Sequence, residues 1–250
     1  MNYKMIVQYD GTRYDGWQRQ GNTDNTIQGK IEETLTRITG EPVEIFGAGR
    51  TDAGVHALGQ AANFHLQTAN FTGKELVDSL NRFLPEDIGI LSAEEVPERF
   101  HCRLNAKGKT YCYRIGTGER KNVFERRQIY PVEGSLDRAA MERAAGFLKG
   151  EHDFKGFCAN KRMKKSTVRN IWNITFEETQ GELRIVYTGD GFLYHMIRIM
   201  TGTLIETGQG RRTPESVLEI LEKKDRALAG YTAPARGLTL VEVFYPDDIR

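Results

Sequence analysis

Apolar residues recur along the chain with two periods, and the switches between them mark out its elements. Tyr3 to Tyr9 reads as a strand, and Ile27, Ile31, Leu35 and Ile38 then follow at helical spacing, with Asn25 or Thr26 as the cap. Val43 to Phe46 and Gln60 to Leu66 are predicted strands on either side of a glycine-rich loop. Leu76, Leu80 and Phe83 predict a second helix that stops at Pro85, because a proline turns the residue before it away from helical geometry. Ile88 to Val96 is the next strand.

The second half repeats this style. Strands are expected at Lys109 to Ile115, Val168 to Phe176, Leu183 to Thr188 and Leu238 to Phe244, with a helix over Leu136 to Leu148. A helix starting near Gly191 carries Phe192, Leu193, Met196, Ile197, Ile199, Met200 and Leu204, more than one apolar stripe, and is predicted to be buried. Another begins at Thr213-Pro214-Glu215, where a capping hydroxyl, a first-turn proline and an early acid agree. The fold class is α+β. A shift in composition near residue 105 divides the chain into a first domain, 1–105, and a second, 106–250.

Composition narrows the class. With 250 residues, 39% hydrophobic and 28% charged, the chain is of ordinary globular type, neither disordered nor fibrous. Cys102, Cys112 and Cys158 are odd in number and lack CxxC spacing, so no disulfide framework or cysteine zinc site is expected, and a reducing, cytoplasmic setting fits best. No run approaches the roughly 18 apolar residues of a membrane span. The net charge of +1 hides two uninterrupted basic runs: Arg99, Arg103, Lys107, Lys109 and Arg114 in one, and Lys155, Lys161, Arg162, Lys164, Lys165 and Arg169 in the other. The plain reading of each run is a solvated face; two of them beside aromatic residues weaken it in favour of a nucleic-acid surface.

The most unusual stretch is Gly47-Ala48-Gly49-Arg50-Thr51-Asp52-Ala53-Gly54-Val55-His56. Its small residues let a large substrate come close and would present Arg50 and Asp52 to it directly; alternatively, Asp52 caps a tight structural turn. Dinucleotide, P-loop, HExxH and GxSxG templates do not fit. Asp52 with His56 would suit a metal only if the segment were helical, and no third ligand is evident. Arg198 is the only formal charge between Asp190 and Glu206, so it either pairs with a carboxylate, Asp52 being a candidate, or snorkels to the surface. Tyr111 and Tyr113 share a strand face with Lys109 and Ile115, placed either to stack on an unpaired base or to fill the core.

These stretches resemble the bacterial tRNA pseudouridine synthase A family over nearly the whole chain. The resemblance is carried by Tyr9-Asp10-Gly11 with Gly16-Trp17-Gln18-Arg19-Gln20, by Gly49 to His56, by Phe100-His101, by Lys109 to Tyr113, and by His195-Met196-Ile197-Arg198 with Gly202. It implies that Asp52 is the catalytic residue, that Arg50 assists base extrusion, that Tyr111 stacks on the target uracil, and that Arg198 pairs with the catalytic acid. Cys102 and Ile199 stand where the family more commonly has alanine and asparagine. The implied fold is two similar α+β domains with mainly antiparallel sheets joined into a central sheet, helices on one side and a basic cleft on the other.

The implied reaction isomerises uridine to pseudouridine at positions 38 to 40 of the tRNA anticodon arm, in a homodimer whose two subunits both touch the RNA. No cofactor, metal or membrane is implied. Asp52 would attack the sugar or the base, or remove the C2′ proton, and the residues do not choose among these routes. Two rival readings are a noncatalytic RNA-binding protein, in which Asp52 is a turn residue, and a metal-dependent hydrolase built on Asp52 and His56.

Overall fold

The structure, a computed structural model, describes residues 1–67, 71–118, 123–179 and 181–246. Along the first half run β1 (Asn2–Tyr9), α1 (Ile27–Thr39), β2 (Ile45–Gly47), β3 (His56–His65), α2 (Gly73–Phe83) and β4 (Ile88–Val96). There follow β5 (Gly108–Gly116), β6 (Tyr130–Pro131), α3 (Arg138–Gly146), β7 (Gly150–Asp153), β8 (Val168–Thr179), β9 (Glu182–Gly189), α4 (Met196–Gly208), α5 (Ser216–Lys223) and β10 (Leu238–Phe244). Two compact units result: Met1–Lys109 with the segment from Thr239 onward, and Thr110–Leu238. Each is α+β.

In the first unit the strand order is β4, β1, β3, β10, with β2 also on β3. β1 runs antiparallel to both β3 (Met5 opposite Ala62) and β4 (Lys4 opposite Glu94). On its other edge β3 pairs with β2 through residues 62–64 and with β10 at His56 and Ala57. The strand at β3 thus starts four residues earlier than the alternation alone predicts, because pairing with the non-local β10 extends it. α1 begins at Thr26, whose hydroxyl accepts the Gly29 N–H, and ends at Gly40, whose φ of 77° suits glycine. α2 opens with a reciprocal capping box between Thr72 and Glu75. Ile27, Ile31 and Leu35 of α1 and Leu76 and Leu80 of α2 are buried, each contributing on the order of 1.5–3 kcal/mol.

In the second unit the order is β5, β9, β8, β7, with β6 parallel to β5. β8 and β9 form an antiparallel pair with Phe176 opposite Ile185, and β7 pairs antiparallel with β8. Short β6 and polar β7 carry too little alternation to be read from the sequence. α4 is buried as expected: every residue in it except Arg198 and Glu206 is buried. Its start differs from the expectation, falling at Met196 and not near Gly191. His195 adopts a left-handed conformation, φ 61°, which ends the preceding turn and sets off the helix.

Candidate functional site

Residues 48–55 link β2 to β3, and several backbone groups along this loop are held by residues distant in sequence. The Ala48 N–H donates to the Ala61 carbonyl at 2.8 Å, and Lys109 Nζ donates to the Ala48 carbonyl at 2.9 Å. Gln60 Nε2 donates to the Gly49 carbonyl at 2.7 Å. The Thr51 carbonyl accepts the Trp17 N–H at 3.1 Å, while Tyr9 hydroxyl and Thr51 Oγ share a hydrogen bond of 2.8 Å. The Val55 N–H then closes a turn on the Asp52 carbonyl at 3.1 Å, with Gly54 at φ 77° in the third position, where only glycine is comfortable. The turn is thus closed on the backbone carbonyl of Asp52.

The residues beneath the loop come from the segment after β1. A Cβ on Gly11 would lie 2.0 Å from the Val55 carbonyl oxygen, and one on Gly47 would lie 2.4 Å from the Trp17 indole nitrogen. Backbone and indole fit only because no side chain intervenes. The loop therefore rests on Gly11, Gly16 and Trp17, and presents Asp52 half-buried and Arg50 exposed. His56 is drawn into the same support: its Nδ1 accepts the Gly11 N–H at 3.1 Å and lies 3.2 Å from Asp10 Oδ1. A single ring nitrogen of His56 thus stands between the Gly11 backbone and the Asp10 carboxylate.

In the second unit Tyr111 is buried, 7% exposed, and meets Phe192 edge to face with ring centroids 5.4 Å apart. Tyr113, on the same strand face, is the core tyrosine of the pair: it is fully buried and its hydroxyl donates to the Pro234 carbonyl at 2.8 Å. Phe192 belongs to the turn that leads into α4, so Tyr111 and the start of the helix carrying Arg198 are tied together. Arg198 is half-buried and makes a two-way link with one residue: its Nε donates to the Ala233 carbonyl at 2.8 Å, and its own carbonyl accepts the Ala233 N–H at 3.0 Å. Such a link restrains the orientation of the guanidinium.

The basic runs are less uniform than the sequence implies. Arg99, Arg103 and Lys107 are exposed, but Lys109 is engaged with Ala48, and Arg114 is locked between Glu182 (2.6 Å) and Glu125 (2.7 Å). These two are therefore structural cations. In the later run Lys161, Arg162, Lys164 and Lys165 are all exposed.

Sequence reasoning left Tyr9, Trp17, Gln60 and Ala233 without roles. The glycines at 11 and 16 were the available signal, since Gly16 has φ 96° and would bring a Cβ within 2.7 Å of the Thr51 carbonyl. The two departures from the family pattern also find their places. Cys102 donates its thiol to the Phe46 carbonyl and its N–H to Asn63 Oδ1, and burial pushes the thiol up to about 12. Ile199 is a fully buried α4 core residue.

A family model described as tRNA pseudouridine synthase matches residues 5–105 and 144–246. The chain is 52% identical over 239 residues to the tRNA pseudouridine synthase A of Bacillus sp. (strain KSM-64), covering 96% of this chain and 97% of that protein. It is 48% identical over 245 residues to tRNA pseudouridine synthase A 2 of Clostridium tetani (strain Massachusetts / E88), covering 98% of each. Against the tRNA pseudouridine synthase A of Acetivibrio thermocellus the identity is 44% over 244 residues, covering 98% of this chain and 99% of that protein.

Proposed function

We propose, from the premise that the chain belongs to the tRNA pseudouridine synthase family, that Asp52 is the carboxylate at its reaction centre. The activity is isomerisation of uridine to pseudouridine in tRNA. The N1 to C1′ bond breaks, the uracil turns, C5 joins C1′, N1 takes up a proton and the C5 proton leaves to solvent. The observation that carries the assignment to Asp52 is the loop itself. Its backbone is held at Ala48, Gly49, Thr51 and Asp52, with small residues on either side, so that a carboxylate sits at a defined place open to a large ligand.

The other roles follow from the matched motifs. Arg198 is the cation paired with Asp52, its guanidinium restrained by Ala233. Tyr111 stacks on the target uracil, and exposed Arg50 fills the space the base leaves. Extruding a base from its stack costs a few kcal/mol. Stacking on a tyrosine returns about 1–3 kcal/mol, which offsets most of that. The substrate region is the anticodon arm at uridines 38 to 40, read by a cytoplasmic homodimer whose two subunits both touch the RNA. The exposed cations of the two basic runs support this reading.

The test is tritium release from tRNA labelled at uracil C5, comparing the native protein with Asp52→Ala and Asp52→Asn, alongside tRNA binding. Release by the native protein alone, with binding kept by both variants, is the expected result. Binding without release by the native protein would favour a noncatalytic RNA-binding protein instead.

A further inference from the structure

The buried side of the Asp52 loop is more polar than stability requires. Within β3 the neighbours Ala57, Ala61, Ala62 and Phe64 are buried and apolar, yet Gln60 among them is fully buried too. Its Nε2 reaches the Gly49 carbonyl, while its Oε1 meets no hydrogen-bond donor among the described residues. An unsatisfied amide oxygen in a closed interior opposes folding, and an apolar side chain of equal volume would not. The amide also faces the phenol of Tyr9, whose hydroxyl is bonded to Thr51 Oγ. Burial raises the pKa of this phenol, so it remains a neutral hydroxyl across the physiological range. Three buried polar side chains thus converge on the third residue before Asp52 and on the one immediately before it.

We infer that Tyr9, Thr51 and Gln60 form a buried positioning network that sets the backbone direction at Asp52 and so aims its carboxylate. The inference rests on the reading of Asp52 given above. Gln60 holds the loop at Gly49, and Tyr9 holds it at Thr51. With Gly49 and Thr51 fixed, Asp52, which follows them and opens the turn closed by Val55, has little freedom left. A displacement of about 1 Å at a reacting group costs up to 10²-fold in rate, so the network acts on turnover and not on substrate affinity.

The experiment compares Gln60→Met, Thr51→Val, Thr51→Ser and Asp52→Asn, reading kcat, KM and Tm on tRNA. Gln60→Met removes both the Gly49 bond and the unsatisfied oxygen at nearly constant volume. It is expected to keep or raise Tm while kcat falls about 10- to 100-fold at unchanged KM. Thr51→Val gives a similar loss in kcat, and Thr51→Ser, which keeps a hydroxyl, recovers most of it. A lowered Tm with native kcat in the folded fraction of Gln60→Met would overturn the inference, as would equal turnover of Thr51→Val and Thr51→Ser. Should Gln60→Met not fold, the Thr51 pair decides. An inactive Asp52→Asn beside native kcat in the other variants defeats the network alone; an active Asp52→Asn defeats the assignment of Asp52 and the network with it.

Discussion

The loop that carries Asp52 and the helix that carries Arg198 hold their side chains by opposite means. The loop has no regular structure and is fixed by hydrogen bonds and close backbone approaches from Tyr9, Gly11, Trp17, Gln60 and Lys109, residues scattered over a hundred positions of sequence. α4 is regular and buried on nearly all sides, with links such as those from Arg198 to Ala233, Thr201 to Tyr187 and Glu206 to Arg212 added to that packing. A loop so held is directed by polar geometry, whereas a buried helix is directed by packing. Damage to the first is expected to appear in turnover, and damage to the second in stability.

The sharpest way to break this contrast is at two glycines. Gly11→Ala sets a Cβ against the Val55 carbonyl and must move the loop. The expected result is a fall in kcat of about 10²-fold with tRNA still bound, read by steady-state kinetics and filter binding. Gly202→Ala in α4 sets a Cβ 1.9 Å from the Tyr231 carbonyl oxygen, within the segment that leads to Ala233. Overpacking there is expected to lower stability by about 1–3 kcal/mol in urea unfolding. If Gly11→Ala lowers stability as much as Gly202→Ala while its kcat stays native, the two regions are held alike and the distinction fails.

A smaller effect sharpens the difference between structural and RNA-facing cations. Replacing exposed Lys161, Arg162, Lys164 and Lys165 by glutamine is expected to weaken tRNA binding and flatten its dependence on salt, with the unfolding midpoint unchanged. An unaltered slope of log affinity against log salt would take this run out of the interface. Arg114→Gln should do the reverse, lowering stability and leaving the salt slope alone, because Arg114 is spent on Glu182 and Glu125.

The smallest effect concerns pH. Hydrogen bonds from Arg114, and then from Arg184, hold Glu182 at about 2 against an ordinary value of 4.5. The folded form is the weaker acid's opposite here: it binds the proton less readily than the unfolded chain does. Its stabilisation is therefore fully present above about pH 4.5 and is lost as pH falls toward 2. Urea unfolding of native protein and Glu182→Gln between pH 6 and 3 is expected to show a difference that shrinks with falling pH. A constant difference would mean that Glu182 acts through packing and not through its charge.

Much of this molecule was legible in local pattern, because helix caps and strand alternation act over a few residues. Thr26, the stop before Pro85, β4 and β10 all stand where periodicity and capping chemistry put them. The loop residues Arg50 and Asp52 stood out for a related reason: a run of small residues around two charges is unusual whatever surrounds it. What only tertiary structure decided depends on partners far away in sequence. β10 returns beside β3, across more than half the chain, and lengthens that strand to His56. Lys109 and Arg114 look like their neighbours in a basic run until Ala48, Glu125 and Glu182 are brought to them. Gln60 reads as an ordinary strand residue until burial removes its water and Gly49 becomes its partner. Sequence pattern reports what a residue prefers by itself; which hydrogen bonds it makes is set by the company that folding assembles.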